Sequence, residues 1–209
     1  MSTLIADTVN CLNQRNPSNT EDTRVWERLW YRVIDAATAE VTVPLTLLSP
    51  DENQSGRAYD QFKIVWSDLS CDTNNTSLLM ATSSNGGTTY STSYRRGFVK
   101  AMTDGTVSNF IGSTAVTIIE IFGNSGNDLW AYMNGELHAI RYKRNDSEGG
   151  DNFYNHYCTG WNAVSSTMQF QKGFHSDASF KDTLRMYMGS GNIDAGTITL
   201  FGNRIIREI

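Results

Sequence analysis

Histidine and cysteine are the side chains of this 209-residue chain that are best suited to metal binding or nucleophilic chemistry. There are three of each: His138, His156, His175, Cys11, Cys71 and Cys158. The histidines are far from one another in the sequence, as are the cysteines, and no HxxxH, HExxH or CxxC pair occurs. We therefore expect no metal site, no disulfide framework and no cofactor.

Carboxylates offer two further kinds of chemistry. Asp146, Glu148 and Asp151 surround two glycines and could supply oxygen ligands to Ca²⁺, but they do not follow the Asp-x-Asp-x-Asn-Gly order of a known calcium loop, so we interpret them as a solvated loop. Glycoside hydrolysis needs two carboxylates about 5 to 9.5 Å apart, a distance that the fold sets and sequence spacing does not. A glycan-cleaving enzyme therefore stays as the least favoured alternative.

The densest group of aromatic residues is the segment DNFYNHYCTGW, which contains Phe153, Tyr154, His156, Tyr157 and Trp161. The surrounding sequence from Asn145 to Gly160 is polar and irregular, which predicts a long exposed loop. Exposed rings bind sugar faces or anchor partner proteins, so these five residues are our candidate receptor or partner contact. The alternative is that the rings turn inward, onto the core or a subunit interface.

The rest of the chain has the pattern of β-structure. Runs of alternating polarity recur about every ten residues between Asn-Gly, Gly-Gly and Ser-Gly turns. We predict a central strand at Tyr59–Leu69, a hairpin formed by 77–82 and 88–98, a type I′ turn at Asn134-Gly135, and a strand at Thr183–Met188. Gly86, Gly87 and Gly135 are expected to have positive φ. Pro44 indicates a sheet edge.

These elements predict an all-β fold, an antiparallel β-sandwich of the jelly-roll type, over residues 25–209. The segment 21–33 is also compatible with a short helix that runs into a strand. Residues 1–24 are polar apart from Leu4, Ile5 and Val9, and we interpret them as an N-terminal arm that is disordered or attaches the domain to another protein.

Composition excludes several partners. The 22 acidic and 17 basic residues give a net charge of −5, and the longest basic run is Arg95-Arg96, so nucleic acid is not an expected partner. No apolar run approaches the ~20 residues that span a bilayer, and the start lacks the pattern of a secretory signal. We expect no membrane insertion, and we expect the chain to stay in the cytoplasm until it is assembled.

Three segments together resemble a recurrent bacteriophage module: Tyr59 to Tyr94 (YDQFKIVWSDLSCDTNNTSLLMATSSNGGTTYSTSY), Ser165 to Gln171 (SSTMQFQ), and Met188 to Gly202 (MGSGNIDAGTITLFG). In that family a strand that begins Tyr-Asp-x-Tyr/Phe leads to a Ser-x-Asn-Gly-Gly turn. The domain closes on Ser-Gly-x-x-x-x-Gly-Thr-Ile-Thr-Leu-Tyr/Phe-Gly. The likeness covers most of residues 32–203.

The resemblance implies a virion protein of the tail fibre, tail appendage or head decoration type, and commonly a homotrimer. It carries over no catalytic residues. Long fibres have a heptad, collagen-like or β-helical shaft, and this sequence lacks one, which favours a short tail fibre or appendage. Such a subunit binds other virion proteins, and a host surface glycan is a further candidate partner. A capsid decoration protein is the alternative.

Overall fold

A computed structural model describes residues 23–48, 59, 61–92, 94–102, 107–110, 115–116, 118–125, 132–141, 152–161, 166–175 and 181–206. Within them the chain forms thirteen β-strands and one 3-10 helix, Leu45–Leu48. The strands are β1 Thr23–Ile34, β2 Glu40–Pro44, β3 Gln61–Cys71, β4 Thr76–Ser83, β5 Tyr94–Met102, β6 Val107–Phe110, β7 Ala115–Val116, β8 Ile119–Ser125, β9 Met133–Arg141, β10 Asn152–Trp161, β11 Ser166–His175, β12 Thr183–Met188 and β13 Ile193–Ile206.

The strands form two sheets in which all the pairs are antiparallel. One sheet has nine strands in the order β1-β13-β3-β9-β10-β11-β5-β6, with β7 also paired to β5. The other has four strands in the order β2-β12-β4-β8. The two sheets pack against each other, so the predicted all-β sandwich is confirmed.

Alternating polarity explains why the two sheets meet on one face each. In β3 the buried residues Phe62, Ile64 and Trp66 alternate with partly exposed ones, as the pleat of a strand requires. The four-stranded sheet contributes the same pattern through Leu184 and Met186 of β12. Burial of these side chains, at about 25 cal/mol per Å² of apolar surface, is the main force that holds the two sheets together.

Two sequence predictions about strand position are confirmed. β3 lies between β13 and β9, in the interior of the nine-stranded sheet. Pro44 is the last residue of β2, which is an edge strand of the four-stranded sheet. An edge accommodates proline because only one side of the strand needs backbone donors.

Two other local predictions are wrong. Residues 23–34 form β1, so the helical interpretation of 21–33 fails over its described part, in which aromatic and β-branched residues outweigh the helical spacing. The hairpin predicted from 77–82 and 88–98 does not form either, because β4 belongs to the four-stranded sheet and β5 to the nine-stranded sheet. The segment between them crosses from one sheet to the other.

The predicted arm falls almost entirely outside the described residues, and Leu4, Ile5 and Val9 are among those left out. Its role in attachment stays a prediction. β1 begins at Thr23, which pairs with Ile206 of β13. The sheet therefore already includes Thr23 and Arg24, which the sequence analysis assigned to the arm.

Candidate functional site

The aromatic segment is not a loop where the structure describes it. Residues 152–161 form β10, which pairs with β9 on one side and β11 on the other. Phenylalanine, tyrosine, tryptophan and threonine favour strands, and this preference prevails over the asparagines that suggested a loop. The candidate contact residues Phe153, Tyr154, His156, Tyr157 and Trp161 therefore occupy positions along one interior strand.

A strand divides these five positions between two faces. Tyr154 and His156 are opposite Ala139 and Leu137 of β9, both of which are buried in the core. Phe153 and Tyr157 are opposite Ile140 and Glu136, in the rows of the other face. By register Phe153, Tyr157 and Trp161 fall on one face of the sheet and Tyr154 and His156 on the other, so the five positions do not share a face.

We call the side of the nine-stranded sheet that is turned away from the four-stranded sheet the outer face. Along β1, β13, β3 and β9 it carries four side chains in contact: Trp26, Phe201, Lys63 and His138. Lys63 Nζ lies 4.9 Å from the centre of the Trp26 ring and 5.1 Å from the centre of the Phe201 ring. The Trp26 and His138 rings meet edge to face, with their centres 5.9 Å apart. An ammonium group over aromatic faces is held by the ring quadrupole.

The outer face continues from this cluster in two directions. His138 Nε2 lies 3.0 Å from Glu136 Oε1, and Glu136 is opposite Tyr157 in the register of β9 and β10. On β1, the guanidinium carbon of Arg28 lies 5.7 Å from the centre of the Tyr31 ring, and Tyr31 is 49% exposed. Rings and charges are therefore spread over several strands of the outer face.

A second cluster lies on the exposed face of the four-stranded sheet. The guanidinium carbon of Arg185 is 3.8 Å from the centre of the Tyr90 ring and 4.6 Å from that of Tyr187, and Arg185 Nη1 donates to Glu40 Oε2 at 3.2 Å. Burial raises the pKa of Tyr90 above its usual 10.0, the charge of Glu40 adds to this, and Arg185 opposes it. This stack fixes the segment between β4 and β5 against β12.

The predicted turn glycines have different outcomes. Gly86 and Gly87 have φ of 67° and 84°, so the positive φ predicted for them is confirmed. Their turn is held by Asn85, whose side-chain oxygen accepts from the Thr89 amide at 2.9 Å, and by Asp182, whose Oδ2 accepts from the Gly86 amide at 3.0 Å.

The turn predicted at Gly135 is wrong. Gly135 lies within β9, opposite Trp66 of β3 and Cys158 of β10. Asn-Gly favours a turn through its local backbone preference, and here the pairing with strands on both sides outweighs that preference. Among the described residues the glycines with positive φ are Gly86, Gly87, Gly191 and Gly196, so the positive φ predicted for Gly135 is wrong as well.

Two of the three segments that carry the phage resemblance, 59–94 and 188–202, pack against each other. A Cβ on Gly202 would lie 2.5 Å from Tyr59 Cδ1, and one on Gly196, whose φ is 122°, would lie 2.8 Å from the Asp68 carbonyl oxygen. Asp72 accepts from the Asn192 amide at 2.8 Å and from the Asn192 side chain at 2.7 Å. The Asn192 hydrogen bonds are the main reason that the pKa of Asp72 is below its usual 3.8.

Groups of metal-binding or nucleophilic side chains are few in the described part of the chain. No three His, Cys, Asp or Glu side chains among the described residues are grouped as a metal site requires. Cys71 is buried, and its Sγ lies 3.2 Å from the Thr73 carbonyl oxygen. Among the described residues, no helix has the length and apolar character needed to cross a membrane.

Sequence reasoning missed both described clusters, because each is assembled from residues on separate strands. Trp26, Lys63, His138 and Phe201 come from four different strands, and no short motif links them. The signal that could have found them is the pleat: Lys63 stands at a solvent-side position between the buried Phe62 and Ile64. No family model, curated protein or solved structure matches this chain.

Proposed function

We propose that the chain is a non-enzymatic structural and binding subunit of a bacteriophage particle, and that it serves as a short tail fibre or tail appendage. The observation that carries this proposal is the contact between the two longest segments of the resemblance. Tyr59 packs on Gly202, and Asp72 binds Asn192, which lies 120 positions further along the chain, so distant parts of the motif form one unit. A chance likeness of scattered segments gives no reason for such contacts.

The jelly-roll interpretation belongs to the same proposal. A jelly roll has eight strands in two sheets and is formed from two Greek keys. The strand orders β1-β13-β3-β9 and β2-β12-β4-β8 support it, because they alternate early and late strands of the chain as nested Greek keys do. In this interpretation β5 to β7 and β10 to β11 are two insertions that extend one sheet beyond the eight.

We propose the outer face as the surface that contacts a host glycan or a partner protein. Its rings and charges are spread over several strands of one sheet face, which suits the face of a sugar ring or another protein better than it suits a small enclosed substrate. Trp26 and Phe201 provide described rings on this face, and by register Phe153 lies in the row of Trp26 and Tyr157 in the row of Tyr31.

Adsorption competition tests this surface. Purified protein should block attachment of the phage to host cells, and Trp26→Ala with Tyr157→Ala should remove the block while leaving the melting midpoint nearly unchanged. Tyr154→Ala is the matched control. Its row runs through Ala139 and Phe62 of the core, so this change should lower the melting midpoint rather than act on attachment alone. Loss of the block with Tyr154→Ala alone, at unchanged stability, would contradict the assignment of the outer face.

Location in the particle tests the broader proposal. Antibody labelling or a reconstruction should place the chain on the tail, associated with other virion proteins and, as the resemblance implies, in groups of three copies. A position over the joints between capsid subunits would favour the decoration protein instead. Release of reducing ends from host surface polysaccharide by the purified chain would overturn the non-enzymatic assignment.

A further inference from the structure

The edge strand β1 has features of a strand that pairs with another strand. It spans twelve residues and is the first strand of the nine-stranded sheet, paired with β13 on one side. Within the described residues no strand lies on its other side. Edge strands in soluble proteins are commonly kept from pairing by shortness, proline or strong bulging. β2, with five residues and Pro44, has two of these protections, whereas β1 has neither proline nor short length and carries a single register shift, between Arg28 and Trp30.

Two apolar residues on β1, Tyr31 and Val33, are strongly exposed. Tyr31 is 49% exposed and Val33 is 52% exposed, and both lie on the outer face, opposite Thr199 and Thr197 of β13. β1 therefore presents backbone groups and apolar side chains together at its edge. That combination is typical of strands that a protein extends by adding another strand.

The bulge in β1 decides which residues share a face. The register with β13 shifts between Arg28 and Trp30. Arg28 is opposite Phe201 on the outer face, whereas Trp30 is opposite Leu200, which is buried in the core. As a result Trp26, Arg28, Tyr31 and Val33 belong to the outer face, and Glu27, Trp30, Arg32 and Ile34 belong to the inner face.

The side chains on the two faces of β1 complement those of a second, antiparallel β1. If two copies of β1 run antiparallel about a twofold axis between Leu29 and Trp30, then Glu27 of each copy is opposite Arg32 of the other. In the same register Trp26 is opposite Val33, and Arg28 is opposite Tyr31. Each of these pairs joins residues of one face, as antiparallel partners must, and the two Glu27–Arg32 pairs join opposite charges.

We infer that β1 is the contact between two copies of this chain, which join their nine-stranded sheets edge to edge. The strand that pairs with the open edge of β1 is β1 of a second copy. In that pairing opposite charges are brought together, and each residue meets a partner on its own face of the sheet. Glu27 also accepts a 2.8 Å hydrogen bond from the Tyr59 hydroxyl, and a carboxylate has further acceptor positions for a guanidinium group across the axis. The contact joins copies in twos. The trimer that the resemblance implies would need a separate surface, and the two contacts together would give six copies, which is also an even number.

Sedimentation of the full chain tests this inference. At tens of micromolar the wild type should have twice the 23.3 kDa chain mass, or another even multiple. Arg32→Glu puts a second carboxylate opposite Glu27, twice by symmetry, and should raise the dissociation constant about tenfold or more. Ser84→Glu, on the exposed turn between β4 and β5, adds negative charge elsewhere and should leave the mass unchanged.

Mixing gives a sharper test than either variant alone. Glu27→Arg and Arg32→Glu chains should each be monomeric when separate. The Glu27→Arg chain would pair Arg with Arg at both 27–32 contacts of its own dimer, and the Arg32→Glu chain would pair Glu with Glu at both. Together they should form a mixed dimer by native mass spectrometry, because both 27–32 contacts then join Arg with Glu. Val33→Lys provides a variant that leaves the Tyr59–Glu27 hydrogen bond intact and should also weaken the dimer. An odd number of chains for the wild type, or dimers that all these variants leave unchanged, would overturn the inference.

Discussion

Tyr59 lies against Gly202 so closely that a Cβ on this glycine would be 2.5 Å from Tyr59 Cδ1. The hydroxyl of the same tyrosine donates a 2.8 Å hydrogen bond to Glu27 Oε2. Tyr59 thus links β1 and β13 to the start of β3, three neighbouring strands of the nine-stranded sheet. The position has no room for a side chain at 202.

Gly202→Ala should therefore destabilise the fold. The new methyl group would also lie 2.8 Å from Leu29 Cδ1, so two side chains must move, at a cost of about 1 to 3 kcal/mol in the free energy of unfolding. Gly189→Ala is the matched control, because its nearest neighbour would be Leu79 Cδ1 at 3.5 Å, an ordinary contact, and the change should stay within about 0.5 kcal/mol. Urea unfolding measures both, and equal losses would argue against the Tyr59 contact.

Asp72 should make stability depend on pH in the acid range. Its pKa is lowered in the folded protein from the usual 3.8, chiefly by the Asn192 hydrogen bonds. A carboxyl group with a lowered folded pKa stabilises the fold above its unfolded pKa, and the contribution is lost as the pH falls through the folded value. Thermal melts from pH 6 to pH 2 should show a smaller acid loss for Asp72→Asn than for the wild type. Parallel curves would rule out this role.

Tyr94 should stabilise the core through its hydroxyl group. The ring is fully buried, the hydroxyl accepts from the Thr82 amide at 2.8 Å, and it lies 3.2 Å from Thr82 Oγ1. Tyr94→Phe keeps the ring but leaves that buried amide without its acceptor, which should cost about 1 to 3 kcal/mol in unfolding free energy. Tyr90→Phe is the control, since it keeps the stack on Arg185. A larger loss for Tyr90→Phe would contradict the assignment.

Arg185→Lys should loosen the segment between β4 and β5. A planar guanidinium group can stack on the Tyr90 and Tyr187 rings while it donates to Glu40, whereas an ammonium group is a compact charge that cannot stack in this way. We expect a loss of about 1 kcal/mol and faster amide exchange at residues 84–92. Glu40→Gln keeps an acceptor and should change exchange much less. Unaltered exchange in Arg185→Lys would show that the stack does not hold the segment.

Much of the fold could be predicted because alternation is a local property. β12 was predicted with its observed bounds, Thr183–Met188, and β3 within two residues of its bounds, because their buried and exposed residues alternate with a period of two. The positive φ of Gly86 and Gly87 followed from equally local turn chemistry.

What could not be predicted depends on distant partners. Asn134-Gly135 has the local signature of a turn, but its place in β9 is set by β3 and β10, which are far away in the sequence. The crossing between β4 and β5 likewise depends on which sheet offers each strand a partner. The cluster of Trp26, Lys63, Phe201 and His138 forms only once four strands are in register, so no window of sequence contains it.

The end of the nine-stranded sheet that lies away from β1 is formed from two separate pieces of chain. β10 and β11 lie between β9 and β12 in sequence, while β5 to β7 lie between β4 and β8, yet β11 pairs directly with β5. β5 joins the rest of its sheet through β11, so neither piece can be shortened without exposing an edge of the other. Among related chains the lengths of these two segments should therefore change in concert, while the turns that join the remaining eight strands vary independently.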